Sequence, residues 1–290
     1  MTSYQWLADY PPAFILCAVV FGLIIGSFLN VVIHRLPKML VRDWQDQARD
    51  ILDLPGVPPG PTYNLMLPHS ECPHCAHRIR AWENIPVLSY LCLRGRCSSC
   101  KAPISIRYPL VEIACAGLGA YAAWHFGFGG QAIAFMVLSW GLLAMSLIDI
   151  DHQVIPDVLV LPLLWLGLIV NAFGVFVPLA DAVWGAVAGY LCLWTVYWLF
   201  KLITGKDGMG HGDFKLLGML GAWGGWQVVP LTVLLSSLVG AVLGLILLRL
   251  RNQQGSTPIP FGPYLAIAGW IALLWGGQIT TSYLQFTGLR

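Results

Sequence analysis

Apolar residues fill this chain in runs of about twenty, separated by short polar or Gly/Pro-rich turns. From Tyr108 onward the pattern predicts membrane-spanning helices over 109–126, 131–148, 158–177, 181–200, 228–248 and 263–283. About 20 apolar residues, at 1.5 Å each, suffice for a ~30 Å hydrocarbon layer. The stretch 215–227 is interrupted by Gly218, Gly221, Gly224 and Gly225 and reads as a tilted or partial span. Residues 12–33 supply the first span, for a count of eight. Met1–Pro12 carries no Lys or Arg, so the sequence disfavours a cleaved signal peptide, which has a positive n-region.

Between the first two spans the pattern changes. His34–Arg107 is too polar to cross a membrane and too short for a large core of its own. Within it, 41–54 (VRDWQDQARDILDL) predicts an amphipathic helix. Asp43, Asp46, Asp50 and Asp53 form an acidic stripe there, with Trp44, Ala48 and Ile51 packed beneath. That stripe is either a solvated face or a docking surface for a basic peptide. Pro55–Pro61 (PGVPPGP) reads as a stiff connector. The chain thus divides into a first transmembrane helix (1–33), a cytoplasmic domain (34–107) and a membrane core (108–290).

Composition agrees with this pattern: 57% of residues are hydrophobic and 10% charged, with a mean hydropathy of +0.71. A soluble domain carries about 25% charged residues. The fold class is therefore an all-α polytopic membrane protein, with the lipid bilayer as a partner. A net charge of +2 is too small to suggest nucleic acid. Ten of the sixteen Lys and Arg residues lie between Arg35 and Arg107. Arg35, Lys38 and Arg42 follow the first span at once, so the positive-inside rule puts the N-terminus outside and 34–107 in the cytoplasm. In the first span, Gly22 and Gly26 suit close helix packing, and Asn30 suits a hydrogen bond between helices.

Four of the eight cysteines form two C-x2-C pairs, Cys72/Cys75 and Cys97/Cys100, with 21 residues between them. Two such knuckles aim four thiolates at one point, the pattern of a structural Zn2+ site that folds a small domain with too little apolar burial. His69, His74 and His77 read as surface residues rather than ligands, and Cys17, Cys92, Cys115 and Cys192 as packing residues.

The remaining chemistry is acidic. Gly141–Asp157 runs an apolar helix pattern into Asp149, Asp151 and Asp157, and Gly208–Lys215 puts Asp213 where another apolar segment begins. A carboxylate at the centre of a membrane helix costs about 3 kcal/mol on insertion scales, so such residues usually face a cavity, partner or substrate. Alternating crossings bring Asp149 and Asp213 to the cytoplasmic face together, and they are expected to pair. Two adjacent carboxylates share one proton, and such a pair can hydrolyse a peptide bond by general acid–base catalysis. Gly210 and Gly212 would let the backbone approach a substrate closely. Asp151 would shape the site, Asp157 would begin the next helix, and Lys215 would support the site or pair with Asp213. His152 and His211 are either neighbours of the pair or surface residues. No H-E-x-x-H or G-x-S-x-G motif suggests a different protease.

Several segments together resemble the bacterial type IV prepilin peptidase/N-methyltransferases, a family of G-x-G-D aspartyl proteases. They are Gly26-Ser-Phe-Leu-Asn30 through Pro37, the four cysteines, 85–91 (IPVLSYL), Leu93-Arg-Gly95-Arg96-Cys97 and Tyr108-Pro-Leu-Val-Glu112. Asp149-x-Asp151 through Ile155-Pro156-Asp157, Gly210-x-Gly212-Asp213 and 259–263 (IPFGP) continue the series. The resemblance implies eight spans in the bacterial inner membrane and a catalytic pair of Asp149 and Asp213. It implies prepilin and type II secretion pseudopilin substrates, cut on the cytoplasmic side after a short basic leader. It also implies methylation of the new N-terminal amine by S-adenosylmethionine, with Gly95 and Arg96 at positions tied to that step. The acidic stripe could attract the leader. Whether copies form a homo-oligomer is left open. The alternatives are a proton-coupled membrane transporter, which would need acids throughout the membrane depth, and a zinc-dependent membrane interaction protein, in which the aspartates are structural.

Overall fold

Pro11 and Pro12 open a helix that does not stop at the predicted membrane surface. In the computed structural model, which describes residues 5–54, 62–251 and 260–288, a short helix α1 (Gln5–Asp9) precedes α2, one continuous helix over Pro11–Ile51. Its 41 residues extend for about 60 Å. The expected first span and the expected amphipathic helix are therefore one element. Two details of that helix differ from expectation. Asp53 lies beyond its end with φ 50, outside the acidic stripe. Trp44, Ala48 and Ile51 are exposed rather than packed beneath it, with no described residue covering them. The predicted connector at 55–61 falls outside the described residues.

A 3-10 turn (Ala81–Asn84) and a five-residue helix, α3 (Leu88–Cys92), precede α4 (Arg107–Phe126). The chain continues through α5 (Gly130–His152), α6 (Asp157–Ala172), α7 (Leu179–Thr204), α8 (His211–Gly224), α9 (Val228–Arg251) and α10 (Gly262–Phe286). Among the described residues there is no β-strand, only the isolated bridges Glu71–Arg78 and Arg96–Pro103. Helices occupy all eight predicted segments. Four of them are long and apolar enough to cross a membrane: Pro11–Ile51, Gly130–His152, Leu179–Thr204 and Gly262–Phe286. Asp157–Ala172 and Val228–Val242 are shorter apolar helices.

The chain divides into two compact units, Met1–Trp140 and Gly141–Arg290. In the first, α2 and α4 pack antiparallel through small residues. A Cβ on Gly22 would lie 2.7 Å from Ala116 Cα, and one on Gly26 would lie 2.5 Å from Glu112 Cα. Close backbone approach of this kind is how membrane helices gain dispersion contact where lipid offers no hydrophobic drive. Asn30 Nδ2 donates to the Tyr108 carbonyl at 3.0 Å, the interhelical bond expected of it.

In the second unit α8 is the central element. Every residue from Asp213 to Gly224 except Lys215 is buried, against α6, α7, α9 and α10. Its 14 residues span about 21 Å, short of a full crossing, as its glycines foretold. Those glycines let α7 reach its backbone. Gly185 and Gly221 abut each other's carbonyls, and a Cβ on Gly189 would lie 2.5 Å from the Leu217 carbonyl oxygen. The buried C-terminal carbonyls of α8 still need donors. Asn171 Nδ2 supplies them at 2.9 Å to Ala222 and 3.0 Å to Trp223.

Candidate functional site

Asp149 stands one turn before the end of α5, which stops where Gln153 adopts φ 55. The carboxylate is 6% exposed. Its Oδ2 accepts the backbone N–H of Gly262, the first residue of α10, at 3.0 Å. A Cβ at Gly262 would lie 2.7 Å from that oxygen, so no larger residue fits without moving the carboxylate.

Asp213 enters from the start of α8. Gly210 is the N-cap, in extended conformation, and its carbonyl accepts the Asp213 N–H at 3.2 Å. A carboxylate in the first turn of a helix is favoured by the helix dipole. Asp213 is also 6% exposed, and the charge of Asp149 acts on it. Both aspartates are thus buried in the second unit.

Ile155 sits between the elements that carry them. A Cβ at Gly212 would lie 2.8 Å from Ile155 Cβ, and one at Gly262 would lie 3.0 Å from Ile155 Cδ1. Neither Ile155 nor the Gly262 N–H stood out in the sequence as a site group, because one is an ordinary apolar residue and the other a main-chain atom. Their only signals were the segments Ile155-Pro156-Asp157 and 259–263.

The other acids separate from the pair. Asp151 is exposed. Asp157 opens α6, as expected, and binds Lys215 Nζ through both oxygens at 2.7 Å. Lys215 therefore pairs with Asp157 and not with Asp213. Two residues along a helix turn the side chain by about 200°, which points Lys215 away from Asp213. The loop before Asp213 is held by Asp207, which accepts from Tyr197 Oη at 2.6 Å and Lys201 Nζ at 2.8 Å. Lys201, then Tyr197, hold the Asp207 carboxyl below its usual range. His211 is exposed and packs its ring on Tyr197 and Phe214, whereas His152 is simply exposed.

The four knuckle cysteines converge in the first unit. Cys72 and Cys100 Sγ are 3.8 Å apart, Cys75 and Cys97 Sγ 4.0 Å, and all four sulfurs lie within 4.8 Å of one another. The knuckles share one backbone plan. Cys72 N–H donates to the His77 carbonyl and Cys97 N–H to that of Ala102, while Ala76 (φ 54) and Lys101 (φ 62) make the turns. The N–H groups of Cys100 and Ser99 pull the Cys97 thiol down to about 6, towards the thiolate that binds metal.

His77 is not a ligand, but neither is it a free surface residue. Its Nε2 lies 3.2 Å from both Glu83 Oε2 and Ser98 Oγ. Glu83, drawn down to about 2 chiefly by the Arg80 N–H, then by Ser98 and His77, ties the first knuckle to the second. Gly95 adopts φ 65, and a Cβ there would lie 2.8 Å from Tyr90 Oη; Arg96 beside it is exposed. Of the other cysteines, Cys115 is buried, Cys192 half-buried, and Cys17 and Cys92 exposed.

Comparison with known proteins matches residues 20–126 to the bacterial peptidase A24 N-terminal domain and residues 136–245 to the type IV leader peptidase family. The chain is 70% identical over 289 residues to a prepilin leader peptidase/N-methyltransferase of Stutzerimonas stutzeri, and 68% identical over 290 residues to that of Pseudomonas aeruginosa. Each match covers 100% of both chains. The corresponding protein of Aeromonas hydrophila is 60% identical over 91% of each chain. No solved structure matches the chain.

Removing one sulfur should leave the others unable to close a four-ligand shell. Cys97→Ser is expected to lower the metal retained by the purified protein by about tenfold or more, read by plasma mass spectrometry. Retention at the wild-type level would show that the cluster is not the metal site.

Proposed function

The chain belongs to the type IV leader peptidase family, and from that membership we propose that Asp149 and Asp213 are the carboxylates that cut its substrate. The protein is a prepilin leader peptidase and N-methyltransferase. The observation that carries the catalytic assignment is the burial of two acids at helix ends that pack around the same side chain, Ile155, with Asp149 fixed by the Gly262 N–H.

Burial makes the doubly ionised pair costly, so the pair holds one proton between its members. The ionised carboxylate takes a proton from water as the water oxygen attacks the scissile carbonyl. The protonated carboxyl gives its proton to the carbonyl oxygen. As the tetrahedral species collapses, the C–N bond breaks and the amine leaves with a proton returned by the pair. The Gly262 N–H occupies Asp149 Oδ2 and leaves the other oxygen for water. Gly210 and Gly212 keep the chain beside Asp213 slim enough for an extended peptide.

The substrates are prepilins and type II pseudopilins, whose apolar helix lies in the bilayer and whose basic leader remains in the cytoplasm. The aspartates and the cysteine domain belong, in this reading, to the cytoplasmic face of the inner membrane, with the N-terminus outside and α8 as a partial span among eight membrane helices. The three stripe acids on α2, Asp43, Asp46 and Asp50, offer the leader an opposite charge.

Zinc is the metal that best suits the cysteines. Four Zn–S bonds of about 2.3 Å in a tetrahedron separate the sulfurs by about 3.8 Å, close to the 3.8 and 4.0 Å distances found here. The ion would tie the two knuckles together, and four thiolates leave it no open position for catalysis. S-adenosylmethionine supplies the methyl group for the new N-terminal amine. Arg96, exposed beside the second knuckle, is the side chain assigned to that step, and Gly95 fixes the backbone that presents it.

Three outcomes test this reading on purified protein reconstituted with a prepilin. Asp149→Asn and Asp213→Asn should each lower cleavage by about a thousandfold or more; wild-type rates in either would refute the mechanism. Gly262→Ala, which crowds Asp149 Oδ2, should lower kcat by about ten- to a hundredfold with little change in KM. With labelled S-adenosylmethionine present, Arg96→Ala should reduce methylation and leave cleavage at the wild-type rate.

A further inference from the structure

Four large apolar side chains crowd a ten-residue stretch of the cysteine domain: Trp82 is 62% exposed, Ile85 45%, Leu88 61% and Leu91 64%. Large apolar side chains exposed together in one short stretch among basic residues mark an interaction site. The depth at which the patch is held identifies what covers it.

The backbone N–H of Val87, the residue before α3, donates to Glu112 Oε2 at 2.7 Å. Glu112 is buried on α4, with its Cα against Gly26 of α2. Gly26 precedes Arg35, the first basic residue after the apolar run, by nine residues, or about 13 Å of helix. Side chains lean towards the N-terminus of their helix, which for antiparallel α4 is the Arg35 end of α2, so the Glu112 carboxylate recovers only a few Å of that depth. Val87 is therefore held about 8–10 Å below the level of Arg35. Its φ of 59, rare for a β-branched residue, shows how firmly the position is imposed.

We infer that residues 82–91 dip into the cytoplasmic leaflet, with Trp82, Ile85, Leu88 and Leu91 among the lipid chains and the flanking arginines at the phosphates. The cysteine domain then rests on the bilayer and does not hang free in the cytoplasm, as the polar character of 34–107 implies. Charge favours lipid as the occupant. From Arg78 to Arg107 there are six Lys and Arg against one acid, Glu83, which already joins the two knuckles. Arg80 lies over the Trp82 ring at 5.3 Å, an amphipathic pair suited to the headgroup boundary. Interfacial segments bury their apolar face about 5–10 Å deep, a range that includes the offset of Val87 from Arg35.

The test uses the full chain in nanodiscs of phosphatidylethanolamine and phosphatidylglycerol, with photoreactive p-benzoylphenylalanine replacing Leu88 or, separately, Leu91. Leu16, exposed on the apolar run of α2, is the lipid-facing reference, and Asp46, on the cytoplasmic extension of α2, the aqueous one. On irradiation, lipid adducts at positions 88 and 91 are expected within about threefold of position 16 and about tenfold above position 46, by mass spectrometry. Adduct yields no higher than at position 46 would overturn the proposal. So would adducts formed with added prepilin in place of lipid, which would make the patch a substrate-docking surface. The two positions are read independently, and wild-type prepilin cleavage by each labelled protein shows that it is folded.

Discussion

A helix buried on all sides depends on how closely its neighbours can approach its backbone. In the second unit α8 meets that condition with glycines on both partners, and the mutual contact of Gly185 and Gly221 brings α7 and α8 nearly main chain to main chain. Packing this tight leaves few alternative positions for α8. Its buried polar ends are answered at the same time, by Asn171 at one terminus and by the Gly210 turn at the other. The placement of Asp213 follows from these contacts, because the aspartate is in the first turn of the encased helix.

Asp149 reaches the same place by a different route. It is carried by the last turns of a long apolar helix and held by a single main-chain donor from the start of α10. Each carboxylate therefore depends on a glycine at a helix start, one for close packing and one for a hydrogen bond. The ion pair of Lys215 with Asp157 closes α8 onto α6 outside the pair and leaves Asp213 without a cationic partner there. In the first unit, the cysteine cluster brings together two knuckles of a domain too short for a large apolar core.

The sequence was most informative where period and spacing carry the signal. Apolar runs located helices at each predicted segment, the glycines marked α8 as short, and paired C-x2-C knuckles announced the sulfur cluster. Asp149 and Asp213 stood out because acids at apolar helix ends are rare. What could not be read was set by contacts between distant residues. Nothing local shows that Lys215 reaches Asp157, that His77 is shared by Glu83 and Ser98, or that a main-chain N–H of α10 holds Asp149. The fusion of the first span with the acidic helix was hidden by the change from apolar to polar residues after Ile33, which α2 crosses without a break. Polar composition likewise concealed the apolar face of 82–91, since the depth of that face is fixed by a hydrogen bond to another helix.

Ile155 shows how such long-range contacts constrain change. One side chain bounds the space at both Gly212 and Gly262, so three positions widely separated in the chain share one small volume. A Cβ at Gly212 meets the Cβ of Ile155 itself, which every residue but glycine would keep, whereas one at Gly262 meets the flexible Cδ1 tip and Asp149 Oδ2. A smaller residue at Ile155, arriving first, leaves both helix starts loosely supported. Stepwise drift through these positions therefore passes through a poorly packed intermediate in either order, and the three residues are expected to persist or to be replaced as a set.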